Sequence, residues 1–170
     1  MNGIYHLDGV KKVILVASAK GGVGKSTTAI NLATAFNQLH HNVGILDADI
    51  YGPSMPKMLG ITKKPSISED KRFIPIDKYN MKCMSIGFLI DQQTPVIWRG
   101  PMIIKALKQM LNGVVWNGVD TLIIDLPPGT GDVQLTLCQK LKISGVVIVS
   151  TPQELALIDA IKGINMFKKL

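Results

Sequence analysis

Residues 13–27 read Val-Ile-Leu-Val-Ala-Ser-Ala-Lys-Gly-Gly-Val-Gly-Lys-Ser-Thr. The stretch passes from a continuous apolar run into a glycine-rich segment and then into the first turn of a helical pattern. An apolar run without polar alternation is typical of a strand that is covered on both faces. A strand, a glycine-rich turn and a helix in this order predict a phosphate-binding loop, because the turn amides and the helix N-terminus attract an anion.

The loop supplies both the amides and the side chains for a nucleotide such as ATP. We expect Lys25 to reach the β- and γ-phosphates and the hydroxyl of Ser26 to bind Mg²⁺. The strict pattern has glycine at position 19, where this chain has Ala19, and alanine is tolerated there if its φ is negative. The residues that we expect to cradle the phosphates are Gly21, Gly22, Val23, Gly24, Lys25, Ser26 and Thr27.

The rest of the chain alternates between strand and helix patterns. Apolar runs at 43–46, 122–124 and 146–149, with a more mixed run at 81–88, predict four further strands. This alternation predicts an α/β fold, doubly wound, with a mainly parallel sheet and helices on both faces. Helical periodicity lies at 25–40, 101–111, 132–141 and 152–169.

Two segments carry more specific expectations. The stretch 52–80 has no sustained period and is expected to be a long irregular connection with a short helix near 54–59. For the last helix we expect Thr151 as N-cap, Pro152 at the first position and Glu154 completing a capping box. The stripe expected to face the core of the protein consists of Leu157, Ile158, Ile161 and Ile164.

Acidic residues follow two predicted strands at the edge where parallel sheets bind ligands. Asp47 and Asp49 are expected to point the same way, one holding a water bound to Mg²⁺ and the other orienting the attacking water, unless they only cap the next turn. Asp125 closes an apolar strand, as in a Walker B motif, and is expected to hold Mg²⁺ through a water. Gly129 is expected to offer its N–H to a γ-phosphate, and Asp132 either joins the site or caps the next helix.

The length and composition of the chain exclude several classes of protein. The chain has 170 residues, of which 46% are hydrophobic, and this length fits a single domain. The net charge of +7 comes without a long basic run, so we expect a solvated lysine-rich surface and no nucleic-acid partner. No apolar run approaches the roughly 18 residues of a membrane span. Two cysteines cannot form a disulfide framework, and the N-terminus has no signal-peptide layout, which favours a reducing compartment.

Lys20 places a second lysine at the start of the loop. The run from Lys20 to Ser26 resembles the deviant Walker A motif of the dimeric P-loop ATPases that include MinD, ParA and the nitrogenase iron protein. The resemblance implies an ATP-dependent homodimer in which Lys20 reaches the nucleotide of the partner subunit. It also implies that Asp49 lies in switch I and positions the nucleophile, with Asp47 nearer the metal. The alternative for Lys20 is a solvated loop lysine.

Four further motifs narrow the resemblance. Residues 47–54, 98–101, 125–132 and 150–153 read Asp-Ala-Asp-Ile-Tyr-Gly-Pro-Ser, Trp-Arg-Gly-Pro, Asp-Leu-Pro-Pro-Gly-Thr-Gly-Asp and Ser-Thr-Pro-Gln. Together they resemble the Mrp/nucleotide-binding-protein family of iron–sulfur cluster carrier ATPases, over nearly the whole chain. The resemblance implies an enzyme that hydrolyses ATP, carries a [4Fe–4S] cluster at a homodimer interface and transfers it to apoproteins. Within these motifs we expect Trp98 to pack and Arg99 to contact the partner subunit.

In that family the cluster is held by a Cys-x-x-Cys pair from each subunit, and this sequence has no such pair. Cys83 lies in a predicted strand and Cys138 in a predicted helix, so we expect both to be buried packing residues and not cluster ligands. We therefore expect residues 1–170 to be a single P-loop ATPase domain that lacks its C-terminal part. The fragment and the natural short form remain open alternatives.

Two other functions are compatible with the same loop. One is a spatial organiser similar to MinD and ParA, which switches on a membrane or on DNA; the expected burial of the apolar stripe of 152–169 argues against it. The other is an adaptor that binds nucleotide without turnover. The expected compartment is the cytoplasm, with the mitochondrial matrix as the alternative.

Overall fold

The computed structural model describes Tyr5 and residues 7–89, 100–129 and 131–169, with only the backbone of Gly100, Pro101, Asp132 and Val133. The expectations for Trp98 and Arg99 lie outside these residues. The elements are β1 (Lys12–Ala17), α1 (Lys25–Gln38), β2 (Val43–Asp47), α2 (Met55–Met58), β3 (Ser66–Ile67), β4 (Phe73–Ile74), β5 (Ile76–Lys78), β6 (Met81–Ser85), a 3₁₀ helix (Ile86–Phe88), α3 (Gly100–Asn112), β7 (Thr121–Asp125), α4 (Asp132–Lys140), β8 (Gly145–Ile148) and α5 (Glu154–Phe167).

A six-stranded sheet in the order β5-β6-β2-β7-β1-β8 forms the centre of the described structure. Its strands are parallel except β5, which pairs antiparallel with β6. This confirms the prediction of a doubly wound α/β fold with a mainly parallel sheet. The central strands β2 and β7 are buried along their whole length, as their continuous apolar sequences predict.

The stretch 52–80 contains more regular structure than its sequence predicts. The expected short helix is present as α2, but β3 and β4 pair with each other and β5 extends the main sheet. The turn between β5 and β6 is made by Tyr79 and Asn80, with φ of 51° and 58°. Two consecutive residues with positive φ are typical of a tight hairpin turn, and Tyr79 stands where such turns usually carry Asn, Asp or Gly. The sequence therefore does not indicate a turn at this position.

The start and orientation of α5 differ from the prediction. Its N-cap is Gln153, without a capping side chain, so the expected capping box at Thr151 is wrong. The residues that α5 buries are small (Ala156, Ala160 and Gly163). The predicted inner stripe is exposed instead, by 39% to 56%, at Leu157, Ile158, Ile161 and Ile164.

The small residues of α5 explain this orientation. They recur at i, i+4 and i+7 and therefore form a stripe of their own. A helix can lie closer to a sheet through small side chains than through branched ones. The strand that α5 contacts, β8, is only half-buried at the end of the described sheet. No helix in the described part of the chain is long and apolar enough to cross a membrane.

Candidate nucleotide-binding site

The phosphate-binding loop connects β1 to α1. Gly22 and Gly24 have φ of 75° and 89°, and a Cβ on either would meet no neighbouring atom. Their conformation, not crowding, is therefore what favours glycine. Ala19 is not among the residues with positive φ, which confirms that alanine is tolerated at that position.

The first turn of α1 is arranged to receive an anion. Gly24 is its N-cap, and neither a capping side chain nor an acidic residue of its own sequence serves this turn. The carbonyl oxygen of Gly24 accepts the N–H and the hydroxyl of Thr28, both at 2.9 Å. The amides of Lys25 to Thr27 thus form the N-terminal end of a helix dipole, where phosphate oxygens bind.

Lys25 brings together two of the predicted acidic residues. Its side chain is 6% exposed, and its Nζ lies 2.5 Å from Asp125 Oδ1 and 3.7 Å from Asp49 Oδ2. These residues come from α1, from the end of β7 and from the loop after β2. The sheet order places those elements side by side, so the cluster confirms that they share one edge of the sheet.

Asp125 has one engaged and one unengaged oxygen. Oδ1 contacts Lys25, whereas Oδ2 is buried and has no hydrogen-bond partner among the described residues. Burial raises the pKa of Asp125, and the charge of Lys25, the hydrogen bond from Lys25 and the hydroxyl of Ser26 oppose that rise. An unpartnered carboxylate oxygen in a buried position is costly unless a further ligand satisfies it.

Asp47 lies opposite Asp125 in the β2–β7 register, but its oxygens are already occupied. Oδ1 accepts the N–H of Asp49 at 3.1 Å, and Oδ2 accepts the N–H of Met55 at 3.2 Å and the hydroxyl of Ser85 at 2.9 Å. Burial, reinforced by the nearby charge of Asp125, raises the pKa of Asp47 to about 7. These contacts tie the loop after β2 to the end of β6.

Asp49 is held by the backbone that follows it. Its Oδ1 accepts the N–H groups of Tyr51 and Gly52, both at 3.2 Å, and its Oδ2 faces Lys25. Strand β2 ends at Asp47, so Asp49 lies outside the strand. Strand alternation, from which the direction of Asp49 was predicted, therefore does not set it. The local turn sets it instead.

Gly129 and Lys20 have partners within this chain. The N–H of Gly129 is donated to the carbonyl oxygen of Ser18 at 2.8 Å, so its expected contact with a γ-phosphate stays a prediction that requires this bond to break. Lys20 Nζ lies 3.3 Å from Asp159 Oδ2. The helix that follows Gly129 begins at Asp132 with Gly131 as its N-cap, so Asp132 does not occupy the capping position.

Two residues of the site were missed by the sequence argument. Ser85 anchors Asp47, and Gln134 is buried with its Nε2 donating to the carbonyl oxygens of Pro127 and Pro128 at 2.8 and 3.3 Å. Gln134 therefore shapes the loop after β7. Both act through partners that are distant or irregularly spaced in the sequence, and no local motif marks them.

Both cysteines are buried, as predicted, Cys83 in β6 and Cys138 in α4. Burial raises the pKa of Cys83 to about 12 and that of Cys138 to about 11. Burial thus disfavours the thiolate, which is the form in which cysteine binds a cluster. Within the described ranges no group of three or more His, Cys, Asp or Glu side chains is arranged to hold a metal ion.

A family model and named relatives match nearly the whole chain. Residues 9–170 match the ParA family described as NUBPL iron-transfer P-loop NTPase. The iron–sulfur protein required for NADH dehydrogenase, mitochondrial, of Arabidopsis thaliana is 54% identical over 97% of this chain and 53% of its own length. The iron–sulfur cluster carrier protein of Escherichia coli strain K12 is 52% identical over 96% of this chain and 45% of its own length. The chain thus spans about half the length of these relatives.

Solved structures agree on the fold. The nucleotide-binding protein from Archaeoglobus fulgidus, in complex with ADP, superposes with a TM-score of 0.78 and is 41% identical over 95% of this chain and 64% of its own. The cell division ATPase MinD of Pyrococcus furiosus superposes with a TM-score of 0.68 over 94% of this chain and 68% of its own, at 19% identity, which supports the fold alone. The chain therefore belongs to the NUBPL iron-transfer family of P-loop NTPases.

Proposed function

We propose that this chain binds ATP with Mg²⁺ and hydrolyses it, as the ATPase of an iron–sulfur cluster carrier. The observation that carries the proposal is the position of Lys25, whose Nζ lies between Asp125 and Asp49 beside the N-terminus of α1. A lysine, two carboxylates and a set of helix amides are the groups that phosphoryl transfer uses. The ADP complex of the relative from Archaeoglobus fulgidus supports this choice of ligand.

Binding of phosphate requires Lys25 to change partners. The ammonium group now neutralises part of the charge of Asp125 and Asp49. When the phosphates of ATP bind at the α1 amides, Lys25 turns toward them, because a phosphate oxygen offers a charged partner in line with the helix dipole. The oxygens of Asp125 would then be free to hold Mg²⁺, and those of Asp49 would be free to orient the attacking water.

The residues present fit a magnesium ion. Asp125 offers a buried oxygen without a described partner, and the Ser26 hydroxyl is close enough to lower the pKa of Asp125. Hard oxygen donors and retained waters are what Mg²⁺ prefers. Ser26 and Asp125 would hold the ion, and Asp47, whose oxygens are engaged, would support it by fixing the loop after β2. When bound, Mg²⁺ supplies charge neutralisation at the phosphates.

Asp49 is the residue that we propose to orient the attacking water. The N–H groups of Tyr51 and Gly52 fix its Oδ1, which leaves Oδ2 to accept a hydrogen bond from water. A carboxylate held by two backbone donors keeps its direction without large motions of the side chain. Positioning of the reacting groups and electrostatic stabilisation are the main contributions that a protein makes to phosphoryl transfer.

Lys20 and the homodimer follow from the class of loop. We propose that Lys20 neutralises charge at the nucleotide of the partner subunit, so that ATP favours the dimer. Gly129 would sense the γ-phosphate by exchanging its bond to Ser18 for one to the ligand. A Cβ on Gly21, Gly22 or Gly24 would meet no neighbouring atom, so these glycines leave room for the partner chain to approach.

The cargo of the carrier is proposed from its relatives. Relatives that are about 50% identical are named iron–sulfur cluster carrier or transfer proteins. The proposed acceptors of the cargo are then apoproteins that need a [4Fe–4S] cluster. Cys83 and Cys138 are not the proposed ligands of that cluster, because both are buried, one in β6 and the other in α4. A plant mitochondrial relative and bacterial relatives are compatible with either the mitochondrial matrix or the cytoplasm.

The alternative of a spatial organiser gains one observation. The exposed apolar side chains of α5 remove the argument that this helix is a core element. The organisers among the solved structures are about 20% identical, which supports the fold only, whereas relatives near 50% are named carriers. ATP-dependent binding to anionic vesicles or to DNA would favour the organiser.

Release of phosphate from Mg·ATP tests the proposal. The purified protein is incubated with Mg·ATP, and the phosphate that it releases is measured over time. We expect Lys25→Ala to abolish the release and Lys108→Ala, an exposed lysine of α3, to leave it unchanged. Equal release by Lys25→Ala and the wild type would contradict the proposal.

A further inference from the structure

Lys20 is engaged by α5 of its own subunit. Its Nζ lies 3.3 Å from Oδ2 of Asp159, which lies in the second turn of α5. The carbonyl oxygen of Lys20 accepts the hydroxyl of Ser18 at 2.8 Å. This bond restrains the backbone of Lys20, and its side chain is the part that contacts an anionic partner.

The position of Asp159 is fixed by the packing of its helix. Ala156, Ala160 and Gly163 are the buried residues of α5, and the helix contacts β8. Asp159 directly precedes Ala160, so its carboxylate lies at the edge of this close contact. It faces Lys20 of the phosphate-binding loop. The pKa of Asp159 lies below its usual value, chiefly through the hydrogen bond from Lys20, with Lys162 contributing as well.

Asp159 has a second cation that keeps it neutralised when Lys20 leaves. Lys162 Nζ lies 3.5 Å from Oδ1 of Asp159, one helical turn away. The two lysines therefore use different oxygens of one carboxylate. If Lys20 departs, Asp159 keeps an opposite charge beside it, which lowers the cost of the departure.

The Lys20–Asp159 pair is weak enough to be reversible. The side chains are 48% and 33% exposed, and exposed pairs of this kind change an equilibrium by about fivefold or less. A phosphate with several negative oxygens is a stronger partner for lysine than one solvated carboxylate.

We propose that Asp159 is a positioning residue that holds Lys20 on its own subunit, so that Lys20 must exchange Asp159 for the partner's nucleotide when the ATP-bound dimer forms. The inference rests on the proposed role of Lys20 in the dimer. Asp159 thereby competes with dimerisation and keeps the loop lysine on its own chain when ATP is scarce.

Dimerisation with ATP tests the proposal. The protein concentration at half-dimerisation is measured by sedimentation with Mg·ATP and with Mg·ADP. Asp159→Asn should lower the midpoint with ATP by about twofold to fivefold, and Asp159→Ala should act in the same way. Asp159→Glu keeps a carboxylate near Lys20, so its midpoint should equal that of the wild type. If Asp159 had only a structural role, this substitution would shift the midpoint as well.

Lys162→Gln is the matched control. It changes one charge on the same helix but leaves the Lys20–Asp159 contact, so the midpoint should stay the same or rise. An unchanged or higher midpoint for Asp159→Asn overturns the proposal. Failure of the proposed function is distinguishable: if Lys20→Ala leaves ATP-dependent dimerisation and turnover unaltered, the role of Lys20 itself is wrong, whatever Asp159 does.

Discussion

Asp47 and Asp125 stand directly opposite each other at the ends of β2 and β7, both fully buried. The two carboxylates differ in their partners. Asp125 is neutralised by Lys25, whereas Asp47 has three hydrogen-bond donors and no cation within salt-bridge distance among the described residues. Two carboxylates in such proximity do not both ionise freely, so one supplies charge to the site and the other supplies structure.

The raised pKa of Asp47 predicts that stability falls as pH rises. In the unfolded chain the carboxyl group ionises near pH 3.8, whereas in the folded chain it does so near pH 7. Between these values the folded protein binds the extra proton, so the free energy of unfolding should decrease from about pH 4 to about pH 7, by on the order of a few kcal/mol. Chemical denaturation across this range measures it.

Asp47→Asn is the variant that checks this assignment. It removes the titration while keeping an oxygen for the N–H of Asp49, so most of the decline between pH 4 and pH 7 should disappear. Asp77→Asn, an exposed carboxylate of β5, is the control and should keep the wild-type profile. Equal slopes for wild type and Asp47→Asn would show that another group titrates.

Removing Lys25 should affect stability and binding separately. In Lys25→Met, Asp125 loses its buried cation, and breaking such a pair costs about 3–5 kcal/mol of unfolding free energy. The double variant Lys25→Met with Asp125→Asn removes both charges and should regain much of that loss. Urea denaturation measures this recovery, and a double variant as unstable as the single one would contradict the pairing.

Asp49→Asn should separate binding from turnover. The amide keeps the shape of the side chain but loses the negative charge that orients water, so ATP affinity should change little and hydrolysis should slow by at least about 100-fold. Single-turnover hydrolysis with labelled ATP measures the step. Unaltered turnover would contradict the proposed role of Asp49, whereas ATP binding without turnover in the wild type would favour the nucleotide-dependent adaptor.

The two cysteines should be inert in the folded protein. Their pKa values of about 12 and 11 leave almost no thiolate at neutral pH, and thiolate is the reactive form. Alkylation followed by mass spectrometry should therefore modify Cys83 and Cys138 only after denaturation. If the protein binds a [4Fe–4S] cluster, Cys83→Ala and Cys138→Ala should retain its absorption; loss of the cluster in either variant would contradict the packing role.

Local sequence patterns predict the elements of this molecule whose structure depends only on residues that are close in the sequence. The order of strand, glycine-rich loop and helix at 13–27 needs no partner to be recognised, and neither does a continuous apolar run that ends in Asp125. The orientation of α5 is different, because Ala160 and Ile161 belong to two stripes of equal periodicity. Which stripe is buried depends on how closely the helix approaches β8, and this is decided by packing.

The contacts that complete the site are also non-local. Ser85 reaches Asp47 across 38 positions of sequence, and Lys20 meets Asp159 on the last helix. A sequence pattern identifies Asp47 as an acid at a strand end but does not reveal that its oxygens are engaged. The role of Asp47 therefore changes from an expected metal ligand to a proposed anchor of the loop.

Equilibrium binding of Mg·ATP tests the central claim most directly. The purified wild-type protein, Lys25→Ala and the control Lys108→Ala are titrated under identical conditions by calorimetry, after circular dichroism has shown that all three are folded. The account predicts that wild type and Lys108→Ala bind with the same affinity and that Lys25→Ala binds at least about 100-fold more weakly, since a charge-assisted contact to phosphate is lost. Equal affinity of Lys25→Ala and wild type would contradict the assignment of the site.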